Sequence, residues 1–261
     1  MQEKVILVHG WDPARYNSTI ASGDGVAHEV GWDKSPEYIA LLEERYEVHY
    51  CNLPGFCGVP EPDKPYYSLA DFSHYLKEWK QQFCPSARLM IGYSFGGAVL
   101  LYYKYKHEDN TPVVLISPAI KRKQSLKSHL AHFASYIVPN SMRNALKRKY
   151  QEAASIYYRQ GTPFLRATYD HIVRQDLSNL VPQVSQEEIL LIFGDLDEET
   201  PWALVKDTIQ RYGYDHLVIK DGSHSIIRTH PKELIEAIEH FDSRVGSRDK
   251  DKDALQNEGN H

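Results

Sequence analysis

Cysteine is scarce, with three in 261 residues. Cys51, Cys57 and Cys84 cannot all pair with one another, and their spacing fits no zinc pattern, so a disulfide scaffold is excluded. No run of about 18 apolar residues occurs, which leaves no membrane span. Positive charge is not in excess either. With 30 Lys and Arg against 35 Asp and Glu the net charge is -5, which carries no global nucleic-acid signature. The 15 Gly and 14 Pro are too few for collagen or wholesale disorder. Residues Met1 to His9 pass straight into a strand-like run and lack the charged and apolar regions of a secretory signal. These absences give the expectation of a soluble, reduced, cytoplasmic protein. What remains is ordinary globular composition, 42% hydrophobic and 25% charged, and a length that suits one large domain or a domain with an insertion.

Six short apolar runs read as buried strands, continuous and rich in Val, Ile and Leu rather than alternating: Val5–Val8, Tyr46–Cys51, Arg88–Gly92, Val113–Ser117, Ile189–Phe193 and His216–Ile219. Helical periods fall between them. Ser68–Cys84 puts Leu69, Phe72, Leu76, Trp79 and Phe83 on one stripe, with Ser68 and Asp71 spaced as a capping box. After Thr200, Pro201 stands at a first helical position, followed by Val205, Ile209 and Tyr212 on one face. A last helix opens at Pro231 and carries Leu234, Ile235, Ile238 and Phe241. The alternation predicts an α/β doubly wound sheet.

Residues 121–186 break the alternation with helical windows and no convincing buried strand. The stretch holds eleven Lys and Arg against three Asp and Glu, a balance of +8, so the rest of the chain carries -13. Two readings stand: a solvated helical insertion with basic outer faces, or a cap whose positive potential attracts anionic substrates. The polar segment 243–261 is expected to be a frayed or flexible tail.

The strongest local signal is Gly92-Tyr93-Ser94-Phe95-Gly96-Gly97, set between the strand through Ile91 and a helical run from Ala98. Glycines two before and two after the serine suit a sharp strand-to-helix turn that lifts the hydroxyl clear of the sheet, where a Cβ would collide with neighbouring backbone. The helix start offers free N–H groups to a developing oxyanion. The plain alternative is a tight turn in which Ser94 only caps the helix; a phosphate loop lacks its Gly-Lys-Ser/Thr.

A serine nucleophile needs a base, and the base an orienting carboxylate. Among 13 histidines, His224 stands out in the small-residue loop Asp221-Gly222-Ser223-His224-Ser225 after a strand, where chemistry collects in open α/β sheets. Asp195 and Asp197 both follow the strand ending at Phe193. Glu198 and Glu199 read as helix-start acids. After the first strand, the turn at Gly10 can supply a second backbone N–H, that of Trp11. His9, at the strand end, reads as a loop-ordering hydrogen-bonding residue rather than as the base.

In this order the motifs resemble the α/β-hydrolase superfamily, over residues 3–120 and 187–242. The resemblance implies a compact fold of about six mostly parallel strands, helices on both faces and a helical cap at 121–186, without the two antiparallel N-terminal strands of a full eight-stranded sheet. It implies Ser94, Asp197 and His224 as the catalytic set, the spacing from Gly194 selecting Asp197 over Asp195. The His9-Gly10-Trp11 turn implies the backbone N–H groups of Trp11 and Phe95 as the oxyanion hole. The expected activity is hydrolysis of a small carboxylic ester or thioester through an acyl-enzyme, with no cofactor and no metal. The expected partner is a small acyl substrate, anionic if the basic stretch is a cap, with no nucleic acid and no membrane. Amide (aminopeptidase-like) and C–C bond hydrolysis are the alternatives on the same scaffold, and a non-catalytic binding protein is the third. The loop from Asp12 to Lys34 is taken to cover a pocket lined by Trp11 and Trp32.

Overall fold

The computed structural model describes residues 2–12, 31–122 and 156–258. Its centre is one sheet of six strands: β1 (Glu3–Val8), β2 (Tyr46–Cys51), β3 (Leu89–Tyr93), β4 (Val113–Ile116), β5 (Ile189–Gly194) and β6 (Asp215–Ile219). Each is within two residues of its expected position. The spatial order is β2-β1-β3-β4-β5-β6 and every pairing is parallel. The chain therefore reverses its winding direction between β1 and β3, which opens a crevice at the carboxyl edge of the sheet. The register pairs Val8 with Gly92, Tyr93 with Ile116, Ile116 with Ile192 and Gly194 with Ile219, so the loops that follow five adjacent strands leave from one rim.

The strands are apolar throughout because both faces are covered. Ile6, Val8, Met90, Leu115 and Leu191 point to one face, and Val5, Leu7, Ile91, Val114 and Ile192 point to the other. Helices α1 (Pro36–Glu43), α2 (Leu69–Phe83) and α3 (Phe95–Lys106) complete the first half. On the first face lie α2 and α3 through Leu69, Phe72, Leu76 and Leu100. On the second lies α1 through Tyr38, Ile39 and Leu42. The expected capping box closes the start of α2: the Ser68 N–H donates to Asp71 Oδ2 at 2.8 Å, and the Asp71 N–H donates to Ser68 Oγ at 3.3 Å. The short α1 was not anticipated, since its apolar positions are few and the loop before it hides its start.

Between β4 and β5, α4 (Ile156–Arg159) and α5 (Pro163–Ile172) are helical and two 3-10 turns, Val181–Gln183 and Gln186–Glu188, lead into β5. Helix α5 is tied to the loop before α2 by hydrogen bonds from Thr162 Oγ1 to Glu61 and from the Tyr67 N–H to Thr168 Oγ1. The remainder of the expected cap, 123–155, lies outside the described residues, as does the loop 13–30.

Three expectations change. The segment after Thr200 is not one helix from Pro201. A 3-10 turn at Trp202–Leu204 precedes α6 (Lys206–Arg211), and Pro201 stands in extended backbone at the cap of that turn. The last helix does not stop near 242. After α7 (Ile226–Thr229), α8 runs Pro231–Glu258. Val245 is buried, and Arg244 and Arg248 reach Asp215 and Glu187. The segment expected to fray thus begins as packed helix, because its mixed charges find partners on the core. Trp32, finally, lines no pocket beside Trp11: it is buried on the opposite face of the sheet, its ring 6.0 Å from Tyr38.

Candidate active site

Ser94 sits between β3 and α3 with φ +51° and ψ -108°, a left-handed conformation that an L residue holds only under constraint. The constraint comes from its surroundings. Its N–H donates to the Ile116 carbonyl at 2.9 Å and its carbonyl accepts from Ala119 at 3.0 Å. The flanking glycines are required by space. A Cβ on Gly96 would stand 2.1 Å from the Val8 carbonyl oxygen, and one on Gly92 would stand 2.6 Å from the Gly96 carbonyl oxygen. The same crowding brings the end of β1 against the start of α3. Gly10 packs there too, a Cβ on it falling 3.5 Å from the Ser94 Cβ.

Ser94 Oγ is 3.0 Å from His224 Nε2, and His224 Nδ1 is 2.8 Å from Asp197 Oδ2. Three residues from three loops thus meet at the rim. The loops are locked to each other first. A Cβ on Gly194 would lie 2.2 Å from the Gly222 carbonyl oxygen, the Leu196 N–H donates to that oxygen at 2.9 Å, and the Gly222 N–H donates to Asp195 Oδ1 at 3.2 Å. Asp195 therefore joins the two loops, while Asp197 faces the imidazole.

Asp197 is buried, and its second oxygen is satisfied as well: Oδ1 accepts from the N–H groups of Glu199 at 2.8 Å and Thr200 at 2.9 Å. The Thr200 hydroxyl donates to Oδ2 at 2.8 Å. Burial alone would push the carboxyl up; the hydrogen bond and charge of His224 with the Thr200 donors outweigh it and hold Asp197 at about 2. A fixed anion beneath the imidazole holds the ring with Nδ1–H toward Asp197 and Nε2 toward Ser94.

Thr200 and Tyr93 carry no motif signal and were missed. Tyr93 donates from its hydroxyl to the His224 carbonyl at 2.9 Å, and its ring centroid is 5.4 Å from the imidazole. Glu199, expected to serve a helix start, instead has Oε2 3.7 Å from His224 Nε2.

His9 is buried and bonded at both ring nitrogens, Nδ1 to the Gly10 carbonyl at 2.7 Å and Nε2 to the Leu53 N–H at 3.0 Å. Nε2 accepts, so the proton sits on Nδ1. Burial pulls this imidazole down to about 4, against the Gly10 hydrogen bond and the charge of Asp12. It orders the Gly10–Trp11 turn and does not reach the site. Phe95 is the first residue of α3, where the helix leaves its amides without intrahelical acceptors. The Trp11 ring stands 5.1 Å from the Phe95 ring, so the two expected oxyanion residues are neighbours.

Among the described residues, no group of three or more His, Cys, Asp or Glu is arranged to hold a metal ion, and no helix is long and apolar enough to cross a membrane.

Residues 5–237 match the alpha/beta hydrolase family. The chain belongs to this family. Among alpha/beta hydrolases, it is 24% identical to the pimeloyl-[acyl-carrier protein] methyl ester esterase of Aeromonas hydrophila, over 91% of this chain and 94% of that protein. It shares its fold with the esterase EaEST of Exiguobacterium antarcticum, with a TM-score of 0.63 and 16% identity over 93% of this chain and 92% of that one. An esterase of Pyrococcus furiosus superposes with a TM-score of 0.58 at 17% identity, over 93% of this chain and 81% of that one. The six-stranded parallel sheet is a compact alpha/beta hydrolase core.

Proposed function

We propose that this hydrolase cleaves small carboxylic esters or thioesters through an acyl-enzyme on Ser94. One observation carries the proposal: a single imidazole bridges Ser94 Oγ at 3.0 Å and the buried Asp197 carboxylate at 2.8 Å. In the first half-reaction His224 Nε2 takes the Ser94 proton as Oγ bonds to the carbonyl carbon. The oxyanion so formed accepts from the N–H groups of Phe95 and Trp11, whose donors need no reorganisation as charge appears. Asp197 keeps the ring in the productive tautomer and stabilises the imidazolium. His224 then gives its proton to the leaving oxygen or sulfur, and the acyl group stays on Ser94. In the second half-reaction His224 takes a proton from water, the hydroxyl adds to the acyl carbon, and collapse returns the proton to Ser94 with release of the carboxylic acid.

The relationship to a methyl ester esterase supports esters over the amide and C–C bond alternatives. A purely binding role would not need a buried carboxylate, an imidazole and a strained serine in hydrogen-bond contact. The test is hydrolysis of p-nitrophenyl esters of graded chain length beside a thioester and an aminoacyl amide. Wild-type protein turns over the esters, and Ser94→Ala and His224→Ala each lower kcat by roughly four orders of magnitude. Unchanged turnover in Ser94→Ala contradicts the proposal.

A further inference from the structure

Beside the elbow lies a narrow pocket walled by Trp11, Phe95, Ala119, Tyr169, Leu177 and Arg122. Trp11 and Phe95 also carry the proposed oxyanion N–H groups, so the pocket adjoins the place proposed for the reacting carbonyl. Its described wall is apolar and aromatic apart from the Tyr169 phenol, Gln175 and Arg122; the one charge it holds is positive. A nearby acid does not neutralise that charge. Asp176 pairs with Lys121 at 2.8 Å and accepts from the Ser178 N–H at 3.0 Å and from its hydroxyl at 2.5 Å. Arg122 has no carboxylate partner among the described residues. Arg166, another cation of this region, is spent on the carbonyls of Tyr158 and Arg159, and the charge of Arg174 acts on Asp170. A second donor is unsatisfied in the same wall: Trp11 is 8% exposed and its Nε1–H is buried with no acceptor. A guanidinium without a carboxylate partner in an otherwise apolar pocket matches a ligand that brings negative charge.

We infer that this pocket selects acyl chains with a carboxylate at the far end, such as the half-ester of a dicarboxylic acid, and that Arg122 is the residue that selects them. This rests on the serine-hydrolase reading for the position of the scissile carbonyl. The apolar wall takes the methylene chain, and the guanidinium pairs with the distal carboxylate.

The experiment compares the p-nitrophenyl half-ester of adipic acid with the p-nitrophenyl ester of a monocarboxylic acid of equal length, at low salt. The expected kcat/KM ratio is about tenfold or more in favour of the half-ester, the value of one charge-assisted hydrogen bond. Raising the salt reduces the ratio. Arg122→Gln brings the ratio near one, and Arg122→Lys keeps part of it, which a merely structural arginine would not do. A third ester with the carboxylate on the alcohol side gains nothing. A ratio of one in the wild type, a ratio unmoved by Arg122→Gln, or an equal gain from the alcohol-side carboxylate overturns the inference while ester hydrolysis stands. If no ester is cleaved, the mechanism fails instead, and binding decides the pocket. Ser94→Ala titrated with monomethyl adipate and with the neutral dimethyl ester, read by tryptophan fluorescence, binds the anion about tenfold more tightly, and Arg122→Gln removes the difference. Equal binding overturns the inference by itself.

Discussion

His9 and His224 have similar sequence contexts, each in a turn after a parallel strand, and burial separates them. His9 is enclosed and held at about 4 in the folded protein, against 6.5 for an ordinary histidine. Between those values the unfolded chain binds a proton that the folded chain refuses. The stability tied to His9 is therefore fully present above pH 6.5 and is lost as the pH falls toward 4, a change of about 3 kcal/mol over the window. Burial also lowers His107, so the informative comparison is with His9→Gln. Urea unfolding at pH 7.5, 5.5 and 4.5 shows a shallower pH dependence in that variant than in wild type. Thr200 gives a second residue-scale prediction. Thr200→Val removes the hydroxyl that donates to Asp197 Oδ2 at 2.8 Å, lowering kcat roughly tenfold with KM nearly unchanged, and Thr200→Ser restores most of it. Ser94 and His224 were legible because glycines and small residues beside them mark sharp turns at strand ends. Asp197 needed the family spacing to separate it from Asp195. Thr200 and Tyr93 were not legible, since a hydroxyl that bonds across a loop leaves no local pattern.

At the scale of elements, the elbow is where backbone crowding is greatest, and Gly96 tests it. With the Val8 carbonyl oxygen 2.1 Å from an added Cβ, the atom met is backbone and neither partner has a rotamer to yield. Gly96→Ala costs roughly 3 kcal/mol, seen as a fall in Tm of roughly 10 °C, and it displaces Phe95 from the proposed oxyanion hole so that kcat falls as well. A variant with unchanged Tm and kcat would refute this account of the turn. The strands were legible to within two residues because their unbroken apolar runs are imposed by helices on both faces. The start of α6 was not. Pro201 reads as a first helical residue, yet the preceding backbone is committed to Asp197 through the N–H groups of Glu199 and Thr200, which delays the helix until after a 3-10 turn.

Across the whole molecule, the strand order decides why residues 130 positions apart can share a proton. The winding reverses between β1 and β3, and the register then sets Ser94, Asp197 and His224 at one edge. The last helix closes the opposite face. Phe241 is 1% exposed, and Asp242 accepts from Arg88 Nε at 2.6 Å at the foot of β3. A chain ending after His240 loses both of these and the buried Val245, lowering Tm by more than about 10 °C in a thermal melt; a chain ending there with an unchanged melt would contradict the packing of this helix. The polar composition beyond 242 suggested a free tail because its partners, Asp215 and Glu187, are remote in sequence.

The central claim is that Ser94 is made nucleophilic by His224 and Asp197. Treatment with a fluorophosphonate followed by peptide mass mapping tests it most directly. The label is predicted on the peptide containing Ser94, absent in Ser94→Ala and reduced by orders of magnitude in His224→Ala. A label on another residue, or labelling of Ser94 that survives loss of His224 at the same rate, would contradict it.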